Sequence, residues 1–224
     1  PEAFTAEVGA TREKAGLRAE KLIFGVDRLD YTKGIPDRLH AFERLLDSYP
    51  EWHNRVVLLQ VGAPSRANLA HYQALSTEVD DLVARINRRH GNAQWTPVIY
   101  RHEHFSPRQI AELYRAADVC VVSSLHDGMN LVAKEFIASR SDGRGVLVLS
   151  KFTGAARDLE EAILVNPFAV DEFAEAFHEA LIMDAEQQER RMRALSQRVQ
   201  GHTVYDWASD ILQEALVRAR SVPA

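Results

Sequence analysis

Six short apolar runs punctuate the chain: Leu22–Val26, Val56–Val61, Pro97–Tyr100, Val119–Val122, Val146–Leu149 and Ala162–Val165. Each is continuous rather than alternating, the pattern of strands covered on both faces of a parallel sheet. Between them the apolar spacing changes to three and four. Leu39, Phe42, Leu45 and Leu46 follow it, as do Leu69, Tyr72, Leu75 and Val79, continued by Leu82, Val83 and Ile86. Phe173, Ala176, Phe177, Ala180 and Leu181 repeat it later, and each set describes one face of a helix. Ser106-Pro107 opens a further helix, Ile110 to Ala117, with a capping residue followed by proline at the first helical position. Helices are also expected from Thr5 to Arg18 and from about Tyr205 to Ala219. Strands alternating with helices predict an α/β fold built on a doubly wound parallel sheet of about six strands.

Composition narrows the class. The chain has 224 residues, 46% of them hydrophobic, enough for a well-buried core. Its single cysteine, Cys120, lies inside the apolar run Val119–Val122. That predicts a buried structural thiol, allows no intramolecular disulfide, and favours a reducing, cytoplasmic setting. No apolar run approaches the roughly 18 residues of a membrane span, and no charged-then-apolar secretory signal opens the chain. A net charge of −5 argues against a general nucleic-acid binder. The basic cluster Arg85 to His90, "RINRRH", ends a polar helix without interleaved aromatics, and reads as a solvated face.

In open α/β sheets ligands bind outside the carboxyl ends of the strands. The segment after the first expected strand, "VDRLDYTKG", carries Asp27, Arg28, Asp30 and Lys33. After the others come Gly62 to Arg66; Arg101, His102, His104 and Phe105; Ser123 to Asn130; and Ser150, Lys151 and Thr153-Gly154-Ala155. Several cations converging on one edge of an acidic protein point to an anionic ligand. Taken alone, Val26 to Gly34 is equally a solvated charged turn. "HDGMNLVAKEF" carries more mechanism. Gly128 permits close backbone approach, and a helix starting at Asn130 leaves the amides around Met129 to Val132 facing outward, a ready anion site. Glu135, about a turn and a half further, is placed to accept two ribose hydroxyls. The competing reading is an ordinary Asp-Gly turn with an exposed glutamate.

Other chemistries lack their signatures. No G-x-G-x-x-G follows the first strand and no G-x-x-x-x-G-K-[ST] occurs. No serine sits in G-x-S-x-G. His102-Glu103-His104 places two imidazoles on one face of an extended segment, but with no H-E-x-x-H and no cysteine pair the histidines read as loop or nucleotide-lining groups, and no metal is expected.

Three stretches, "VDRLDYTKGIPDRLHAFERLL", "DGMNLVAKEF" and "VLVLSKFTGAA", together resemble the donor-binding half of the trehalose-6-phosphate synthase family. These are retaining glycosyltransferases of two Rossmann-like domains, the GT-B architecture. "PSR" at Pro64 to Arg66 and "WTPVIY" at Trp95 to Tyr100 fit as well, so the resemblance covers nearly the whole chain. It implies transfer of glucose from UDP-glucose to glucose 6-phosphate, without a resident cofactor or essential metal. Carried over by motif, Arg28 and Lys33 hold the diphosphate. Asp127, Gly128, Met129 and Asn130 meet the glucose, Leu131 and Val132 offer amides to the phosphates, Glu135 holds the ribose, Phe105 lies against the base, and Arg66 reaches the acceptor's phosphate. Arg28, Lys33 and Asp127 are the catalytic set.

The same resemblance divides the chain. Residues 1–4 end a connection between domains, 5–202 form the nucleotide-sugar domain, and 203–224 form a helix packing toward an amino-terminal domain outside this chain. That domain would hold the acceptor, leaving the isolated chain inactive. His126 stands where many members have arginine, which alters the charge of the donor pocket. ADP-glucose as donor, glycerol 3-phosphate as acceptor, a non-catalytic binding module, and assembly as a homo-oligomer remain open.

Overall fold

Why the apolar runs become strands is clear from where they lie. In the structure, a computed structural model that describes residues 2–63, 70–201, 206, 208–209 and 211–213, all six runs enter one parallel sheet. The strands are β1 (Lys21–Arg28), β2 (Val56–Ala63), β3 (Val98–Arg101), β4 (Val119–Val122), β5 (Val146–Ser150) and β6 (Ile163–Val165). Their spatial order is β3-β2-β1-β4-β5-β6, the doubly wound arrangement with its switch point between β1 and β4. β4 and β5 are buried at every residue, as expected of strands with helices on both faces. Burying each Val, Leu or Ile contributes about 1.5–3 kcal/mol.

The helices are α1 (Glu2–Lys14), α2 (Ile35–Ser48), α3 (Ala70–His90), α4 (Pro107–Ala116), α5 (Leu131–Ser139), α6 (Val170–Ile182) and α7 (Ala185–Gly201). Ser106 caps α4 in a full capping box with Gln109. α1 differs from expectation at both ends: it includes Glu2 and stops at Lys14 rather than reaching Arg18. The stop is a Schellman motif. Gly16 adopts φ +72°, its N–H donates to Glu13 O, and the Leu17 N–H donates to Arg12 O. No helix was expected over Ala185–Gly201, where Met192 and Leu195 are the buried residues of α7. The expected final helix falls mostly outside the described residues, of which Asp206, Ala208, Ser209 and Ile211 to Gln213 are helical.

Arg85 and Arg89 are exposed, as a solvated face requires, and their charges also reach across to α2. Arg85 pairs with Glu43, Arg89 reaches Glu43 at 3.3 Å and Asp47 at 2.8 Å, and both acceptors lie on α2. Cys120 is fully buried, which pushes its thiol pKa up and keeps it protonated.

Candidate functional site

The sheet register opens the crevice. β1 pairs with β2 along its whole length, Lys21↔Val56 to Arg28↔Ala63, but with β4 only at Ile23 and Phe24. The carboxyl end of β1 therefore runs past its β4 pairing, and the loops after β1 and β4 meet beside it. Asp30 shapes the first loop. Its Oδ1 accepts from the Thr32 N–H (3.0 Å) and hydroxyl (2.9 Å), and its Oδ2 accepts from the Tyr72 hydroxyl at 3.1 Å. These bonds hold Tyr31–Lys33 in a 3₁₀ turn, answering what Asp30 does in the motif. Gly34 ends the turn at φ +60°, where a Cβ would collide with Ser123 O. Only glycine lets the two loops approach so closely.

The second loop is fastened to the first. Leu125 N–H donates to Thr32 O at 2.7 Å. Asp127 sits opposite Lys33, whose Nζ donates to Oδ2 at 2.7 Å, each side chain 17% exposed. Asp127 also accepts from Asn130 Nδ2 (3.1 Å) and Met129 N–H (3.3 Å). Asn130 caps α5, its Oδ1 accepting from Ala133 N–H at 3.0 Å, while its backbone holds φ +74°. A non-glycine residue there stores strain of about 1–3 kcal/mol, a cost concentrated at functional sites.

The outward amides are fewer than the sequence suggested. Met129 N–H is engaged by Asp127, whereas the N–H groups of Leu131 and Val132 have no acceptor among the described residues. They begin α5, where free amides at the positive end of the helix dipole are suited to an anion. Gly128 needs no glycine for the chain's own sake: a Cβ there meets nothing within 4 Å. Gly154, after β5, does, because its Cβ would collide with Gly128 O.

Burial pushes the Asp127 carboxyl up, but Lys33, Asn130 and the Met129 amide outweigh it and hold the pKa below the ordinary value. At Asp30 burial is likewise outweighed, by the Thr32 and Tyr72 bonds. A carboxyl depressed in the folded state stabilises it above its unfolded pKa, about 4, and loses that contribution as pH falls through the lower folded value. The unfolding free energy of the double variant Asp30→Asn/Asp127→Asn is therefore expected to fall less steeply than wild type between about pH 4 and pH 2 in urea titrations. Equal slopes would contradict the depressed pair.

Beneath the loops lies a network the sequence reading did not single out. Arg38, fully buried on α2, donates to Asp27 Oδ2 (2.8 Å), Gln60 Oε1 (2.5 Å) and Ser123 Oγ (3.1 Å). Ser123 Oγ in turn donates to the carbonyls of Lys33 (3.1 Å) and Gly34 (2.8 Å). A Cβ at Gly25 would collide with Arg38. Burial pushes the Asp27 carboxyl up and Arg38 opposes it. The available signal was spacing: Arg38 shares the three-and-four stripe of Ile35, Leu39 and Phe42.

The remaining expected residues are distributed as follows. Arg28 ends β1, exposed, with no ion pair or hydrogen bond among the described residues. Glu135 is exposed on α5, and its Oε2 accepts from the buried Tyr114 hydroxyl at 3.1 Å. Phe105 is half-buried in the β3–α4 turn and lines a cavity of about 220 Å³ with Arg101, Gln109 and residues of α1. Arg66 lies outside the described residues. His102, Glu103 and His104 are exposed, and no metal-binding group of three His, Cys, Asp or Glu side chains occurs among the described residues.

A larger cavity, about 850 Å³, lies on the opposite edge of the sheet, before β1, β4 and β5. Its arginines are consumed by the protein. Arg12 bonds Ala116 O and Asp118, Arg140 bonds the Tyr114, Arg115 and Ala117 carbonyls and Asp142, Arg115 bonds Glu7, and Arg144 bonds Glu189. It is a seam between elements of the fold, and the switch-point loops are the better candidate.

The profile of glycosyltransferase family 20 matches residues 9–216. The alpha,alpha-trehalose-phosphate synthase [UDP-forming] of Pichia angusta is 45% identical over 194 residues, covering 87% of this chain and 41% of that protein. The fold superimposes on the alpha,alpha-trehalose-phosphate synthase (UDP-forming) of Burkholderia xenovorans in complex with glucose-6-phosphate with a TM-score of 0.87 and 37% identity, covering 95% of this chain and 49% of that one. It superimposes equally, TM-score 0.87 and 34% identity, on the Escherichia coli protein bound with UDP-2-fluoro glucose, covering 96% and 49%. The chain thus spans half or less of the length of these relatives. No helix among the described residues is long and apolar enough to cross a membrane. With a profile match over nearly its whole length and relatives of this identity, the chain belongs to glycosyltransferase family 20.

Proposed function

We propose that this chain is the donor-binding half of a cytoplasmic, retaining glucosyltransferase that moves glucose from UDP-glucose to glucose 6-phosphate, forming trehalose 6-phosphate and UDP. The observation that carries the reading is the meeting of Lys33 and Asp127 at the switch point, beside the unsatisfied amides of Leu131 and Val132. In this reading the diphosphate lies between the cations Arg28 and Lys33 and those amides. Asp127, Asn130 and the Gly128-Met129 backbone face the glucose, Glu135 faces the ribose, and Phe105 the base. Arg66 faces the acceptor's phosphate.

The chemistry follows from where charge develops. The bond from the anomeric carbon to the diphosphate oxygen breaks, and the acceptor hydroxyl oxygen bonds to that carbon on the same face. Its proton passes to the departing phosphate, so no carboxylate nucleophile is needed. Negative charge grows on the leaving diphosphate, and groups already fixed around it stabilise the transition state more than the ground state. Lys33 is held ready by Asp127, so little reorganisation is required. In this reading the acceptor side lies in the part of the relatives' length that this sequence does not align with. Exposed Tyr31, Leu131, Phe152 and Phe168 rim the same edge and suit contact with it.

Gly128→Ala separates a ligand role from a folding role. A Cβ meets no protein atom there, so stability is expected to stay within about 0.5 kcal/mol of wild type. A donor lying against Gly128 makes the same methyl costly, and calorimetric Kd for UDP-glucose is expected to rise about tenfold or more, about 1.4 kcal/mol. Unchanged affinity would remove the sugar from that position.

A further inference from the structure

The site contains a side chain whose chemistry the fold does not require. Tyr114 lies on α4, 2% exposed, edge-on to Phe24 at 5.5 Å and to Phe136 at 6.1 Å between ring centroids. Phenylalanine would fill that aromatic slot without burying a hydroxyl, and a buried hydroxyl is costly unless it finds a partner. The partner here is not core structure. The hydroxyl donates at 3.1 Å to Oε2 of Glu135, a residue of the next helix exposed to solvent. Glu135 Oε1 makes no hydrogen bond among the described residues. A surface glutamate normally samples several rotamers, and this one is tethered from below by one oxygen while the other faces outward.

We propose that Tyr114 is a positioning residue for nucleotide recognition: it fixes the Glu135 carboxylate in one rotamer, with its free oxygen presented to the ribose hydroxyls of the donor. This rests on the reading of Glu135 given above. Burial raises the Tyr114 hydroxyl far above its ordinary pKa, so it remains a donor across physiological pH. A carboxylate oxygen is the kind of acceptor two vicinal hydroxyls require. Preorganisation is the source of the gain, because a long side chain already immobilised loses no rotamer freedom on binding.

The test is calorimetry on the protein with UDP and with 2′,3′-dideoxy-UDP, comparing wild type, Tyr114→Phe, Glu135→Ala and the double variant. Tyr114→Phe keeps the ring and its contacts with Phe24 and Phe136, and circular dichroism melting verifies that it folds. Its Kd for UDP is expected to rise about 3–10-fold, the cost of one side chain left unrestrained. Its Kd for the dideoxy nucleotide is expected to be unchanged. In the Glu135→Ala background, adding Tyr114→Phe should change nothing further. A purely structural tyrosine would weaken both nucleotides alike and would add to Glu135→Ala, overturning the proposal. If Glu135→Ala weakens UDP but Tyr114→Phe does not, the tether alone fails. If Glu135→Ala leaves UDP binding intact, the ribose assignment itself is wrong. Should Tyr114→Phe fold poorly, the ratio of the two apparent Kd values still decides, since misfolding raises both by the same factor.

Discussion

Lys33→Ala is expected to lower kcat/KM for glucosyl transfer by about 100–1,000-fold, or 3–4 kcal/mol of transition-state stabilisation, measured in the protein carrying both halves. The magnitude is that of removing one fixed donor from a site where negative charge develops. The ammonium has a defined place before the donor arrives, 2.7 Å from Asp127 and 17% exposed. Its loss costs little folding energy, because the turn that carries it is held by other groups: the Asp30 bonds to Thr32 and Tyr72, and the Ser123 bonds to the Lys33 and Gly34 carbonyls. The folded state should therefore survive with Tm within a few degrees of wild type while activity collapses. A variant that retained more than about a tenth of the activity would displace Lys33 from the diphosphate, since tenfold is only about 1.4 kcal/mol.

Asp27→Asn should do the opposite, acting on stability first. Arg38 is fully buried and pairs with Asp27 at 2.8 Å, the carboxylate side chain itself 2% exposed. Removing one charge of such a pair leaves the other uncompensated in the core, at a cost of about 3–5 kcal/mol. For a domain of this size that is on the order of a 10 °C fall in Tm. The substituted amide would still offer an oxygen to Arg38, so the measurement isolates the charge rather than the shape. Because Arg38 also holds Ser123, and Ser123 the Lys33 loop, weakened nucleotide binding should accompany the lost stability. A variant as stable as wild type would mean that the guanidinium is balanced elsewhere.

These two residues mark the boundary of what the sequence made legible. The strands were readable because both faces of the sheet are covered, so the runs are apolar without interruption. Val119–Val122 matches β4 residue for residue. The doubly wound parallel sheet followed from alternating strands and helices, whereas the strand order, and with it the place of the Asp-Gly-Met-Asn loop beside β1, came only with the fold. Misses have particular causes. α7 buries only Met192 and Leu195 among its seventeen residues, too few for an apolar stripe to stand out. α1 stops early because Gly16 takes a left-handed conformation, and a mid-sequence glycine does not by itself announce a cap. Arg38 breaks the rule that charges face water, and only the stripe of Ile35, Leu39 and Phe42 around it hints that it is buried.

The motifs brought the candidate residues to one sheet edge, and the fold added contacts the motifs do not show. Asp30, whose place in the motif the sequence left undecided, caps the Lys33 turn. Met129 offers its amide to Asp127 rather than outward, while those of Leu131 and Val132 have no acceptor among the described residues. Tyr114 was invisible as a site residue because its partner, Glu135, lies on another helix and only the fold brings the two together.

The central claim is that the switch-point loops of this chain hold a nucleotide diphosphate, and titration calorimetry of UDP into the wild-type chain and Lys33→Ala tests it most directly. The account predicts one site per chain in wild type, weakening as salt is raised, with affinity at least tenfold lower in Lys33→Ala. No binding by a demonstrably folded wild-type sample, or equal binding by both proteins, would contradict it.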